Sequence, residues 1–67
     1  VSKPKPDPEI YDSAIQRLGL LPSQCLVVED NINGITSAKA AGAHLLEVDT
    51  VHDVTYDNII NRINNLA

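Results

Sequence analysis

The chain is short, acidic and poor in aromatic residues. Its 67 residues carry five Lys+Arg against nine Asp+Glu, a net charge of −4, and two tyrosines as the only aromatic side chains. Neutralising nucleic-acid phosphates takes clustered basic residues, so this charge balance argues against a nucleic-acid partner. No apolar run approaches the ~20 residues of a membrane-spanning helix, which argues against a membrane partner. The single cysteine excludes an internal disulfide and favours a reducing compartment, the cytoplasm.

A stiff loop and then a helix are predicted at the start of the chain. Lysine and proline alternate over residues 3–6, and each proline restricts its own backbone and that of the preceding residue. Asp7 followed by Pro8 is typical of a helix start. Gly19 is suited to end that helix, which we predict over residues 8–18. The apolar side chains on its predicted face are Ile10, Ala14 and Leu18, flanked by Tyr11 and Ile15.

Two short strands and two more helices follow. Residues 25–28 form a continuous apolar run without alternation, which is typical of a strand covered on both faces, and residues 44–48 predict a second strand. Between the strands, residues 32–41 predict a helix that Gly42 ends, and residues 57–67 have the pattern of a last helix. The apolar stripe predicted for the middle helix is Ile32, Ile35, Ala38 and Ala41. The order helix, strand, helix, strand, helix indicates an α/β fold with a parallel sheet.

Two strands are few for a parallel sheet. A chain of this length buries only ~60% of its unfolded surface on folding, and a lone parallel pair leaves an open edge on each side. We therefore expect residues 1–67 to be the C-terminal part of a larger doubly wound, parallel-sheet domain. We also expect self-association through the exposed sheet edge.

Two adjacent carboxylates occupy the most informative position in the chain. Glu29 and Asp30 directly follow the first strand, and ligands of open α/β sheets bind at that carboxyl end. Neighbouring carboxylates repel each other, and Mg²⁺, which takes one or two carboxylates plus water and phosphate oxygens, would relieve that repulsion. The next helix begins at the same place and favours an anion there, with Gly34 leaving room for close approach. The residues alone also allow a simpler role, in which both acids end the strand in solvent and Asn31 caps the helix.

Lys3 and Lys5 are the basic candidates, because a lysine in a rigid loop can be held against a phosphoryl group. Their positions in the sequence do not separate them, and a solvated basic loop is the simpler interpretation of both. The remaining reactive side chains have simpler explanations, as a structural thiol, as surface or strand-end histidines, and as turn-forming aspartates. They are Cys25, His44, His52, Asp49 and Asp53.

Three motifs occur in order over residues 1–48. They are Ser2-Lys3-Pro4-x-Pro6-Asp7, Val27-Val28-Glu29-Asp30-Asn31-x-x-Gly34 and Ala40-Ala41-Gly42. Together they resemble the haloacid dehalogenase (HAD) superfamily, in its β-phosphoglucomutase-like phosphatase branch. The resemblance implies a Rossmann-like core domain and Mg²⁺-dependent phosphoryl transfer from a small phosphorylated metabolite through an aspartyl-phosphate. The enzyme would be a phosphatase or a phosphomutase.

The resemblance also implies roles for individual residues. Lys3 matches the family's lysine, which neutralises the phosphoryl group and the nucleophilic aspartate, so the resemblance favours Lys3 over Lys5. Glu29 and Asp30 match the acidic pair that holds Mg²⁺, with Asp30 as a direct ligand and Glu29 as a direct or water-mediated one. Asn31 falls at a position that supports this pair.

Half of the family's catalytic residues have no counterpart among the 67 residues. The family's nucleophile is the first aspartate of an Asp-x-Asp motif, which does not occur here, and no segment corresponds to the cap domain that selects the substrate. We therefore expect these residues to be inactive alone. Two alternatives are a receiver-type signalling module and a non-catalytic interaction domain. The receiver requires an aspartate after a third strand, where residues 57–67 instead have a helical pattern.

Overall fold

The computed structural model describes residues 2–66, which form three helices and two strands in the predicted order. The helices are α1 (Glu9–Leu18), α2 (Ile32–Ala41) and α3 (Tyr56–Asn64), and the strands are β1 (Leu26–Glu29) and β2 (His44–Glu47). Single turns of 3-10 helix at Pro22–Gln24 and Val51–Asp53 precede β1 and α3. The predicted α/β class is confirmed. None of the helices within residues 2–66 has the length and apolarity that a membrane crossing requires.

The two strands pair in parallel, as the sequence predicts. Leu26 lies opposite His44 at one end of the ladder, and Glu29 lies opposite Glu47 at the other. The connection between the strands contains α2, which packs against both of them. Both strands therefore end at the same edge of the sheet, and the loop after Glu29 begins there.

The helix ends follow the local sequence signals. Gly19 and Gly42 end α1 and α2 in the left-handed conformation, with φ of 69° and 82°, which glycine adopts without steric cost. The first helix begins at Glu9, one residue later than predicted. The Asp7 carboxylate still satisfies a free amide there, because its Oδ1 accepts a hydrogen bond of 2.9 Å from the Glu9 N–H.

The core lies where α1 packs against α2 and is built mainly of small residues. On α1 the buried side chain is Ile15. On α2 the buried positions recur at the spacing of one helix face: Gly34, Ser37, Ala38 and Ala41. Side chains this small let the two helices approach closely.

Some residues of the predicted apolar helix faces are exposed. Ile32 is 71% exposed and Leu18 is 67% exposed, and Ala14 is exposed as well. At about 100° per residue, steps of three residues drift around the helix, so the stripe that begins at Ile32 reaches Ala41 on the opposite side. Ala14 directly precedes Ile15 in the chain and therefore lies about 100° away from it around the helix.

Candidate functional site

The acidic pair lies between the end of β1 and the start of α2. Glu29 is the last residue of β1, and Asp30 connects it to Asn31, the N-cap of α2. The Asn31 Oδ1 accepts a hydrogen bond of 2.8 Å from the Asn33 N–H, so the predicted capping role is confirmed. The free amides of the first turn of α2 therefore lie beside both carboxylates, where they favour an anion.

The Glu29 carboxylate is held by residues from three parts of the chain. Its Oε2 accepts hydrogen bonds from the Tyr11 hydroxyl at 2.5 Å and from the Lys5 ammonium at 3.2 Å. Its Oε1 has one longer contact, 3.4 Å from the Asn31 N–H. The carboxylate rests against Gly34, where a methyl group would overlap it, and the side chain is only 11% exposed.

These contacts set the protonation states of the three groups. The Tyr11 hydroxyl first, and then Lys5, hold the pKa of the Glu29 carboxyl below its ordinary value, although burial opposes them. The hydrogen bond to Glu29 in turn raises the pKa of Lys5. Burial, together with the bond to Glu29, raises the pKa of the Tyr11 phenol. At neutral pH the site therefore contains a carboxylate, an ammonium and a neutral phenol.

The structure places the two candidate lysines differently. The Lys5 Nζ pairs with Glu29 and lies 5.4 Å from the centroid of the Tyr11 ring. Lys3 is exposed, and its backbone N–H donates a hydrogen bond of 2.9 Å to the Glu9 carboxylate. The contacts thus bring Lys5, rather than Lys3, to the acidic pair. The role that the resemblance gives to Lys3 stays a prediction.

Asp30 and Glu29 fit part of a magnesium site. No three Asp, Glu, His or Cys side chains gather as a metal site within the described residues. Mg²⁺, however, takes one or two protein carboxylates and completes its shell with water and phosphate oxygens. Asp30 is exposed at the edge of the sheet and is accessible to a cation. The Glu29 Oε2 is already engaged, which leaves Oε1 for a direct or water-mediated contact.

Sequence reasoning missed two residues that build this region. Tyr11 was expected only at the side of an apolar helix face. Ser37 is fully buried, and its hydroxyl donates a hydrogen bond of 2.5 Å to the Asp7 carbonyl, which ties the N-terminal loop (residues 2–8) to α2. The sequence does contain one sign of the role of Ser37, because it is the single hydroxyl on the helix face that it shares with Gly34 and Ala38.

Three other reactive side chains make contacts that belong to the fold. The Asp53 Oδ2 accepts a hydrogen bond of 3.1 Å from the Thr50 N–H, so its predicted turn role is confirmed. The Cys25 thiol lies 3.6 Å from the Leu21 carbonyl at the entry to β1. His44 pairs with the first residue of β1 within the sheet.

Comparisons with known proteins indicate one family. A family model for the haloacid dehalogenase-like hydrolases matches residues 1–42. The "CBBY-like protein" of Arabidopsis thaliana is 57% identical over 42 residues, which are 63% of this chain and 13% of that protein. "Hexitol phosphatase A" of Escherichia coli (strain K12) is 38% identical over 63 residues, which cover 94% of this chain and 29% of the relative. The crystal structure of a HAD hydrolase (family IA, variant 3) from Entamoeba histolytica matches with a TM-score of 0.70 and 33% identity, over 94% of this chain and 37% of the other.

The chain belongs to the haloacid dehalogenase-like hydrolases, because the family model matches more than half of it. The likeness to the solved structure confirms that the two-stranded α/β unit is part of a Rossmann-like parallel-sheet fold. The chain spans less than a third of the length of the two curated relatives.

Proposed function

We propose that the full-length protein is a Mg²⁺-dependent phosphatase or phosphomutase that acts on a small phosphorylated metabolite through an aspartyl-phosphate. Residues 1–67 are, in this proposal, the C-terminal part of its core domain. Membership of the hydrolase family and the likeness to a hexitol phosphatase support the reaction class. The observation that carries the proposal is the Lys5–Glu29 ion pair beside Asp30 at the carboxyl end of the sheet. Nothing in these comparisons supports the receiver alternative.

The acidic pair is proposed to hold the metal. Asp30 would be a direct ligand because its carboxylate is exposed, and Glu29 would act through Oε1 or a bound water. Asn31 keeps both acids at the start of α2 by capping that helix. When bound, Mg²⁺ would neutralise charge on the phosphoryl oxygens and orient them.

For the lysine, the first candidate is Lys3, because the resemblance assigns it the role. Its side chain is exposed in the N-terminal loop and is accessible to other parts of the full-length protein. Lys5 is the second candidate. Its ammonium is held at Glu29, where a positive charge would offset the charge of an entering phosphoryl group.

The remaining catalytic groups are proposed to lie elsewhere in the full-length protein. These 67 residues contain no Asp-x-Asp motif, so the nucleophile and the general acid/base must come from other residues. Residues 1–67 alone are therefore expected to release no phosphate. A cytoplasmic location and self-association of the isolated residues through the sheet edge also stay predictions.

The test is phosphate release by the full-length protein from a panel of small phosphate monoesters, with Mg²⁺ and after chelation. We expect release that requires Mg²⁺, and a loss on the order of tenfold to 100-fold or more in Asp30→Asn, the range known for residues around a metal. Asp57→Asn, in the first turn of α3, is the matched control and should behave as wild type. Wild-type protein that is inactive on the whole panel, or Asp30→Asn with full activity, would contradict the proposal.

A further inference from the structure

The orientation of the Glu29 carboxylate depends on a residue for which the proposed reaction gives no role. We propose that Tyr11 is a positioning residue, whose hydroxyl holds Oε2 of Glu29 and leaves Oε1 as the oxygen that would be offered to a metal. This inference rests on the proposed function, since it specifies how one acid of the proposed magnesium site is presented.

The two oxygens of the carboxylate have different surroundings. Oε2 accepts both the Tyr11 hydroxyl, at 2.5 Å, and the Lys5 ammonium, at 3.2 Å. Among residues 2–66, Oε1 has only the contact of 3.4 Å with the Asn31 N–H, which is long for a hydrogen bond. The carboxylate therefore offers one oxygen to a cation, which favours a single direct bond or a bond through water over bidentate coordination.

Gly34 leaves the space that the Glu29 carboxylate occupies. It is buried in the first turn of α2, and a methyl group there would overlap the end of the Glu29 side chain. Tyr11 lies on α1, so the packing of α1 on α2 brings the hydroxyl and the glycine to the same carboxylate. The geometry of the site is in this way coupled to the packing of the two helices.

Lys5 alone is a weaker constraint on this orientation. Its ammonium ends a flexible four-carbon chain, and its side chain is 35% exposed. The Tyr11 hydroxyl is attached to a rigid ring on a helix, and its bond to Glu29 is the shorter of the two. Residues around a metal site commonly fix a ligand's orientation in this way, and losing one costs roughly tenfold to 100-fold in metal affinity.

The experiment compares metal binding by wild-type full-length protein and by the Tyr11→Phe variant. Phenylalanine removes only the hydroxyl and keeps the ring beside Lys5. Mn²⁺, which prefers the same oxygen ligands as Mg²⁺, is titrated without substrate and the free ion is followed by electron paramagnetic resonance. We expect the Kd for Mn²⁺ to rise about tenfold in Tyr11→Phe. Tyr56→Phe, at the 77% exposed tyrosine of α3, is the control and should leave the Kd unchanged.

A second variant tests the same carboxylate without touching the tyrosine. Gly34→Ala should displace the end of the Glu29 side chain, because that end is flexible and can move aside. We expect Gly34→Ala to weaken Mn²⁺ binding at least as much as Tyr11→Phe does. Adding Tyr11→Phe to Gly34→Ala should then cause little further loss, because the hydroxyl no longer has its partner in place.

The outcomes separate this inference from the proposed function. If wild-type protein binds Mn²⁺ and releases phosphate while Tyr11→Phe has the wild-type Kd, the positioning role is wrong and the proposed function stands. Additive losses in the double variant would also overturn it, because they would show that the two residues act independently. If the wild-type protein neither binds Mn²⁺ nor releases phosphate, the proposed function fails and the inference fails with it.

Discussion

The two halves of the molecule differ in the contacts that stabilise them. In the site half (residues 2–41), side chains bond across long stretches of sequence, from Ser37 to the Asp7 carbonyl and from Tyr11 to Glu29. In the C-terminal half (residues 44–66), α3 has no buried residue, and a hydrogen bond of 2.7 Å from the Arg62 Nε to the Leu45 carbonyl links it to the sheet. The polar contacts of the site half hold both the packing and the candidate site in place. We therefore expect mutations in the site half to lower the free energy of unfolding more than mutations in the C-terminal half.

The largest expected difference between the halves concerns their isoleucines. Ile15 is 6% exposed in the core, whereas Ile63 is 45% exposed on α3. Ile15→Ala should lower the free energy of unfolding by about 2–5 kcal/mol, the usual cost of emptying a packed site. Ile63→Ala should cost under about 1 kcal/mol, because much of that side chain already contacts water.

Denaturant unfolding of the full-length protein measures both isoleucine variants. Equal losses would contradict the difference between the halves and would indicate that the apolar face of α3 is covered.

A smaller loss is expected where the N-terminal loop joins α2. Ser37→Ala removes the buried hydroxyl that donates to the Asp7 carbonyl, and it should lower the free energy of unfolding by about 1–3 kcal/mol. The exposed Ser23 in the turn before β1 offers a matched control, which should change by less than about 0.5 kcal/mol on replacement with alanine. Urea denaturation of the two variants side by side measures the contrast. Indistinguishable stabilities would mean that the loop is anchored by other contacts.

The smallest expected effect is a pH dependence that belongs to the site half. The pKa of Glu29 is lower in the folded state than its ordinary value, so ionised Glu29 stabilises the fold above that ordinary value. This contribution should fade as the pH falls through the lowered pKa, because both states are then protonated. The difference in unfolding free energy between wild type and Glu29→Gln should therefore shrink from pH 6 towards pH 3.

The same pH series with Glu47→Gln provides a control. Glu47 makes an exposed ion pair with Lys39 at 3.5 Å and should contribute little at any pH, since solvent screens such pairs. A constant difference between wild type and Glu29→Gln across the series would contradict the lowered pKa.

The fold was largely predictable because its signals are local. Each signal acts over a few residues, and the structure confirms it: the apolar run before Glu29, the helix-ending Gly19 and Gly42, and the capping Asn31. The parallel pairing followed from two short strands separated by a helix. The exposed Ile32 was not predicted, because the three-residue steps from Ile32 to Ala41 add up to about 180° around the helix and place the two ends of the stripe on opposite faces.

The candidate site was predictable only in its acidic part. Glu29 and Asp30 stand out because two charges directly follow a buried strand. Their neighbours could not be predicted, since the contacts from Lys5 and Tyr11 to Glu29 span 24 and 18 residues and depend on how α1 crosses α2. The small buried residues of α2 let α1 pack against it, and no local pattern in the N-terminal loop indicates that packing.

The most direct test of the proposed site compares Lys5→Ala with Lys3→Ala in the full-length protein, by Mg²⁺-dependent release of phosphate. Removing a preorganised charge from a phosphoryl-transfer site costs on the order of 10²–10³ in rate, and we expect that loss for Lys3→Ala, which removes the lysine that the resemblance assigns to the phosphoryl group. Lys5→Ala should cost roughly tenfold, because its ammonium contacts the Glu29 carboxylate, a proposed metal ligand. The reverse result, a loss of that larger size in Lys5→Ala and near-full activity in Lys3→Ala, would contradict the assignment and give the role to Lys5.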